Sequence, residues 1–331
     1  MKYMQIKPTD SLFFGSGKPF NAGADSWTDS LFLPNPSVIW GALFSVLYRE
    51  GKVKTTEKEK LKIKNIYLYN EEQTTILVPA PLDIFVDSDG KRYTPTYKDV
   101  DFISNYPLEV INIVEDKEVK SIENSFIEIN SLYEEYCEKN FEDLVLFNFD
   151  EVFVADYKIG IKIDKKTKTA KENHLYRVDL TQFKKEWSFL IEYESDIEFE
   201  DSGVLKLGGE GKTAIYKKID KPIGIVDYED YRDEMIEELK DENEFRVLFK
   251  TPVYFENGWQ PQQKGLVCAN VGKPISIGGF DMETQSIKEM KKYIPAGSIY
   301  LFSKEIGEIS FVDEDSESYK GFGSYELLKK D

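Results

Sequence analysis

Histidine and cysteine are almost missing from this chain of 331 residues, which holds one histidine and two cysteines. Cys137 and Cys268 lie far apart and in no metal-like spacing, so neither a zinc knuckle nor a disulfide framework is expected, and a reducing cytoplasm is the default compartment. His174 stands alone among polar residues, where an exposed turn histidine is the common outcome. Any histidine-based nucleophile pair or general acid would have to use it. Long apolar runs are lacking as well. None approaches the roughly 18 residues of a membrane span, and MKYMQIKPTD has no apolar h-region of a signal peptide. Positive charge is in deficit, with 43 Lys and Arg against 61 Asp and Glu for a formal charge of −18. That balance argues against a generic polyanion binder, yet it would confine nucleic acid to a local basic strip. Acidic runs such as DEDSES (313–318) read as solvated turns, and no metal site or cofactor is expected. No short fixed-period repeat is visible, which argues against a solenoid or propeller.

What the chain does have is aromatic surface, 22 Phe and 20 Tyr, and one well-marked helix. In LFLPNPSVIWGALFSVLYREG (31–51), Asn35 is a good N-cap residue, Pro36 suits the first helical position and Gly51 supplies a stop. Ile39, Leu43, Val46 and Leu47 fall on one face, while Gly41, Ala42 and Ser45 keep another part narrow. Ahead of it, residues 2–7 alternate as a strand, with Tyr3 and Gln5 opposite Met4 and Ile6. Between them runs a long loop, FFGSGKPFNAGADSWTDSLFLP (13–34), rich in aromatics. Loops of this length are usually functional or disordered. Strand, loop and helix together resemble the opening of a βαββαβ unit.

Further on, lysine-rich KVKTTEKEKLKIK (52–64) reads as a solvated helix or linker face, and IYLY (66–69) and TILVPAPLDIF (75–85) as strand-like runs. The stretch of about 70–150 reads as an insertion. YKIGIKI (157–163), a basic segment and EWSFLIEY (186–193) suggest a projecting hairpin, with six lysines and one aspartate between Tyr157 and Lys171. LGGEGKT (207–213) ends like a phosphate loop, but the first glycine of that motif would fall at Lys206, and strand-like residues follow where a helix should begin. Residues 227–244 hold ten acids and two bases and read as an acidic helix or linker at a domain boundary. Beyond it, EFRVLFKTPVYF opens a run of strands separated by glycine turns. Its one helix candidate is ETQSIKEMKKY (283–293), which could equally be irregular. The expected architecture is α+β, with domains at 1–226 and 245–331.

The stretches FLPNPSVIWGALFSVL, LGGEG, LFKTPVYFENGWQP, VGKPISIGGFD, PAGSIYLF and the closing GFG, in this order, resemble the third subunit of the Cmr complex. That complex is the type III-B CRISPR effector, and the family belongs to the RAMP superfamily. Family members usually carry Trp where this chain has Phe280. The resemblance implies two tandem ferredoxin-like (RRM-like) domains and a non-catalytic role in holding the 5′ tag of the CRISPR RNA. It also implies docking to the large polymerase-like subunit and contact with a neighbouring backbone RAMP subunit. It directs attention to the loop from Gly15 to Phe20, to Gly208, Gly209 and Gly211, and to Gly321, Phe322 and Gly323. Two rival readings are the tag-binding subunit of a type III-A effector and a Cas6-like repeat endonuclease.

Single-stranded RNA is held by amides and cations on its phosphates and by aromatic rings under its bases. Lys18, Lys212, Lys264, Lys273 and Lys320 flank glycine-rich turns and are the expected phosphate contacts, with Lys165, Lys166, Lys168 and Lys171 on the hairpin. Phe14, Phe20 and Trp259 are the candidate stacking rings. The long loop would meet the RNA near the N-terminus of the first helix, where free N–H groups and the helix dipole suit phosphate.

Overall fold

A computed structural model gives the structure of the chain, described here for residues 1–15, 27–28, 33–99, 110–114, 117–164, 166–281, 286–303 and 317–330. Among its strands are β1 (Lys2–Pro8), β2 (Leu61–Asn70), β3 (Thr75–Pro79), β4 (Ser125–Glu128), β5 (Leu146–Asn148), β6 (Phe153–Ile163), β7 (Ala170–Phe183) and β8 (Trp187–Ser195). They continue with β9 (Ser202–Lys206), β10 (Thr213–Ile219), β11 (Glu244–Phe249), β12 (Leu266–Asn270), β13 (Ile275–Asp281), β14 (Ser286–Tyr293), β15 (Ile299–Ser303) and β16 (Tyr325–Lys329). The two longer helices are α1 (Pro36–Arg49) and α2 (Ile223–Glu238).

An antiparallel sheet of eight strands, ordered β5-β4-β3-β2-β8-β1-β10-β9, forms the larger unit. A four-stranded antiparallel sheet, β12-β15-β11-β16, forms the smaller. The alternation in β1 places Met4 and Ile6 in an apolar cluster under α1, with Leu43, Leu47 and Ile191. Tyr3 faces the other side, in a cluster that also holds Leu190 from the large sheet and Leu248, Ile299 and Leu328 from the small one. β1 is therefore covered on both faces, and the two sheets share a core.

The helix 36–49 forms as its sequence expects. Pro36 is at the start, and Gly51, at φ +70°, lets its N–H and that of Lys52 turn back to the Tyr48 and Leu47 carbonyls. Asn35 occupies the cap position, but its side chain makes no capping hydrogen bond and the residue is buried. The face with Ile39, Leu43, Val46 and Leu47 is buried, and the Trp40 indole donates to the Leu61 carbonyl at 2.9 Å.

Several expectations change. The lysine-rich stretch after Gly51 carries only a short 3-10 turn before β2 begins at Leu61, whose side chain and that of Ile63 are buried. The insertion is not wholly outside the core, because β3, β4 and β5 extend the large sheet. EWSFLIEY is not the hairpin's return strand. It is β8, in the large sheet, while the return strand is β7 and contains His174. IGIV (223–226) begins α2, which runs into the acidic segment. ETQSIKEMKKY contributes β14 rather than a helix, pairing with β13 as a second hairpin. There Lys288, Lys291 and Lys292 stand at i, i+3 and i+4, a spacing that one face of a helix would share.

Candidate nucleic-acid interface

The β6–β7 hairpin pairs from Phe153↔Phe183 out to Ile163↔Ala170. Asp164 builds the turn, its carboxylate accepting from the Lys166 and Thr167 N–H groups at 2.8 and 3.1 Å. Phe153 anchors the base, in ring contact with Phe183 at 4.7 Å. Farther out, the same face of β6 carries Tyr157, Ile159, Ile161 and Ile163, each at least half exposed. The Arg177 guanidinium lies 4.5 Å over the Tyr157 ring and bonds Asp179 at 2.7 Å. Lys158 points from the opposite face, with Lys166 and Lys168 exposed at the turn.

Two other stretches meet this hairpin. Leu12 and Thr181 exchange backbone hydrogen bonds of 2.7 and 2.9 Å, and the short strand Trp27–Thr28 runs parallel to Arg177–Val178. The long loop is thus fastened to β7 at two points. The glycine turn holds the same loop from the other side. The Gly209 N–H donates to the Phe13 carbonyl at 2.9 Å, and Lys212 Nζ reaches Asp10 at 2.9 Å and Ser11 Oγ at 3.3 Å. The hydrogen bond from Lys212 holds the Asp10 carboxyl below the usual range. A 3.7 Å contact from Lys158 to Glu210 links hairpin and turn.

The expected site residues divide into three sets. Gly15, Lys166, Lys168 and Lys171 belong to this assembly, while Lys18, Phe20 and Lys165 lie outside the described residues. Gly208, Gly209 and Lys212 also belong to it, but as a clamp: an added Cβ at Gly208 would stand 2.4 Å from the Phe13 carbonyl. Only Gly211 has open space beside it. Phe14 is a correction. Its ring is 3% exposed and packed in the core beside Gly208, so it presents no stacking face.

The third set sits apart, on the small sheet and its loops. Lys264 and Lys273 are exposed, and half-buried Trp259 accepts a hydrogen bond from Tyr300 on its carbonyl at 2.7 Å. The GFG turn is an internal joint between the sheets. Gly321 packs on Ile63, Phe322 is buried against Tyr293, and Gly323 donates to the Pro252 carbonyl at 3.0 Å. Lys320 is corrected likewise. It is buried, bonded to Glu317 and placed 5.3 Å over Trp40 of α1, and burial lowers its pKa against the opposing pull of Glu317. It cannot serve as an open phosphate contact. Tyr157, Arg177 and the isoleucine stripe are what the sequence reading missed. Their signal was the alternation in YKIGIKI, which showed a strand but not that its apolar face stays uncovered.

Comparison with known proteins gives this geometry a context. Residues 4–329 match the family described as CRISPR-associated protein (Cas_Cmr3). A relative from Saccharolobus solfataricus, "CRISPR system CMR subunit Cmr3", is 26% identical over 319 residues, covering 90% of this chain and 85% of its own. Among solved structures, a chain of the "Type III-B Cmr-beta bound to cognate target RNA" superposes with TM-score 0.54 at 20% identity, covering 91% of this chain and 86% of that one. The family match spans both sheets, the hairpin and the glycine turns, and on it this chain belongs to the Cas_Cmr3 family of CRISPR-associated proteins.

Proposed function

We propose that this chain is a non-catalytic RNA-binding subunit of a type III-B effector that holds the repeat-derived 5′ tag of the guide RNA. It docks on the large polymerase-like subunit, beside the first backbone RAMP subunit. The observation that carries the reading is the convergence of loop, basic hairpin and glycine turn on one assembly. In a chain of net charge −18, that hairpin is where a polyanion finds local positive charge. The relative from Saccharolobus and the type III-B structure support the same assignment.

The strand orders support tandem ferredoxin-like units. In β10-β1-β8-β2 and in β16-β11-β15-β12, the first strand lies between the fourth and the third. The first unit departs from βαββαβ in two respects: β3 to β7 intervene between β2 and β8, and β9 stands between β8 and β10 where a second helix would run. The domain division at 1–226 and 245–331 then places α2 at the junction, packed near Ile76 of β3. A non-catalytic role suits the thiols: burial pushes Cys137 up to about 11 and Cys268 to about 12, far from a usable thiolate.

The test compares guide RNA with and without its tag, bound to the chain alone and with the large subunit. Tag-dependent binding and no cleavage of repeat RNA are expected. Equal binding of both RNAs, or specific cleavage by the lone chain, would overturn the proposal.

A further inference from the structure

At the opposite end of β1 from the hairpin, a cleft of about 530 Å³ is lined by Met1, Lys2 and Tyr3, by Tyr193 and Glu198, and by residues 218–221. Clefts that hold small ligands run from roughly 300 to 1,000 Å³. Tyr193 forms part of the wall. The residue is fully buried, and its hydroxyl has no hydrogen-bond partner, a costly state for a polar group inside a protein. Above it, two ammonium groups from neighbouring strands approach one carboxylate. Lys2 Nζ lies 2.5 Å from Glu198, and Lys218 Nζ lies 3.9 Å from it. Lys2 also donates to the Ser195 carbonyl at 2.9 Å, and Lys218 meets Asp201 at 2.9 Å. Glu198 is 66% exposed, so its side chain can swing into solvent and leave both lysines to another anion.

We infer that this cleft binds the phosphate monoester of a nucleotide, with Lys2 and Lys218 as its cations, Tyr193 O–H as a third donor and Ile219 as apolar wall. Glu198 then acts as an internal occupant that the phosphate displaces. Three donors match the three terminal oxygens of a monoester, whereas a carboxylate offers two. Burial, with the Glu198 charge adding to it, pushes the Tyr193 hydroxyl up to about 12, so it stays a donor at physiological pH. A free nucleotide and the 5′-phosphate end of an RNA share this chemistry.

Calorimetric titration of the full chain with adenosine 5′-monophosphate, with adenosine as control, tests the site. The monophosphate should bind and adenosine should not. Tyr193→Phe keeps the ring, and with Lys218→Gln each should weaken binding about tenfold. Glu198→Gln should strengthen it several-fold, a response that mere damage to the fold would not give. A 5′-phosphorylated RNA and its 5′-hydroxyl counterpart, compared on a chain whose hairpin lysines are replaced, separate the two sources. Preference for the phosphorylated end identifies RNA, and binding of the monophosphate alone identifies a free nucleotide. If neither phosphate binds at millimolar concentration, or if adenosine binds equally, the inference is wrong. Unchanged affinity in both Tyr193→Phe and Lys218→Gln would overturn it too.

Discussion

Lys250 and Glu326 face one another at the seam between the sheets, each side chain about 3% exposed. Tyr133 donates to Glu326 at 2.9 Å, and Lys250 lies 5.5 Å over the Tyr67 ring, so the pair joins β16 to both the insertion and β2. Removing one partner would leave a charge buried alone, which costs about 3–5 kcal/mol, whereas replacing both by apolar side chains is often neutral. Lys250→Met should therefore lower stability by about that amount, and Lys250→Met with Glu326→Leu should recover most of it, as read by urea denaturation. The two charges were visible in the sequence, but as isolated interruptions of strand patterns. Their pairing across 76 positions depends on how the sheets stack, which no local pattern carries. Cys137 and Cys268 allow a pH prediction at the same scale. Their pKa values rise on folding, to about 11 and about 12, so the unfolded chain loses these protons first. Stability should fall as pH rises from about 9 towards those values. Thiol labelling between pH 7 and 9 should stay negligible until the chain is unfolded. Rapid labelling of the native chain would contradict the burial.

Glycine turns behave as elements here, and their contexts separate them. Gly321 has φ +95°, and an added Cβ would stand 2.8 Å from Ile63 Cγ2 inside the joint. Gly211 has φ +71° but open space around it. Gly321→Ala should therefore cost about 2–3 kcal/mol or more, from backbone strain and the clash together. Gly211→Ala should cost about 1 kcal/mol, from strain alone. Comparable shifts in thermal unfolding would mean that the joint is looser than described. Gly208→Ala belongs to the same series, with its Cβ 2.4 Å from the Phe13 carbonyl. It should loosen the clamp on the long loop and weaken RNA binding without changing its salt dependence, since no phosphate contact is removed. LGGEG and GFG announced turns correctly. They could not announce whether the free amides face an open groove or another segment, because the partner is set by tertiary contact. α1 was legible for the opposite reason: its Pro start, glycine stop and apolar face are all local. ETQSIKEMKKY failed because a lysine-rich run without apolar periodicity fits a ribbon strand as well as a helix turn.

At the scale of the molecule, charge and topology divide the work. An exterior of net −18 repels a polyanion, and the stretch from Tyr157 to Lys171, where lysines outnumber acids by five, is a local exception. That contrast could be read from the sequence, and so could the strand-rich α+β class. Hidden from it were the edge strands that the insertion adds to the large sheet and the uncovered stripe of Ile159, Ile161 and Ile163. Both depend on which strands find a partner face. On the proposed function, the hairpin's lysines meet phosphates and act through counterion release, which for single-stranded RNA contributes a salt slope of about 0.7 per phosphate contact. Replacing Lys165, Lys166, Lys168 and Lys171 together with Glu should weaken guide-RNA binding in the assembled complex and reduce that slope by up to about 3. The base of the hairpin, packed through Phe153 and Phe183, is untouched by these changes, so the chain should keep its thermal stability. An affinity and a slope both equal to those of the unmodified chain would place the RNA elsewhere. A fall in affinity with the slope unchanged would instead assign the hairpin to the neighbouring subunit, since lost protein contacts release no phosphate counterions.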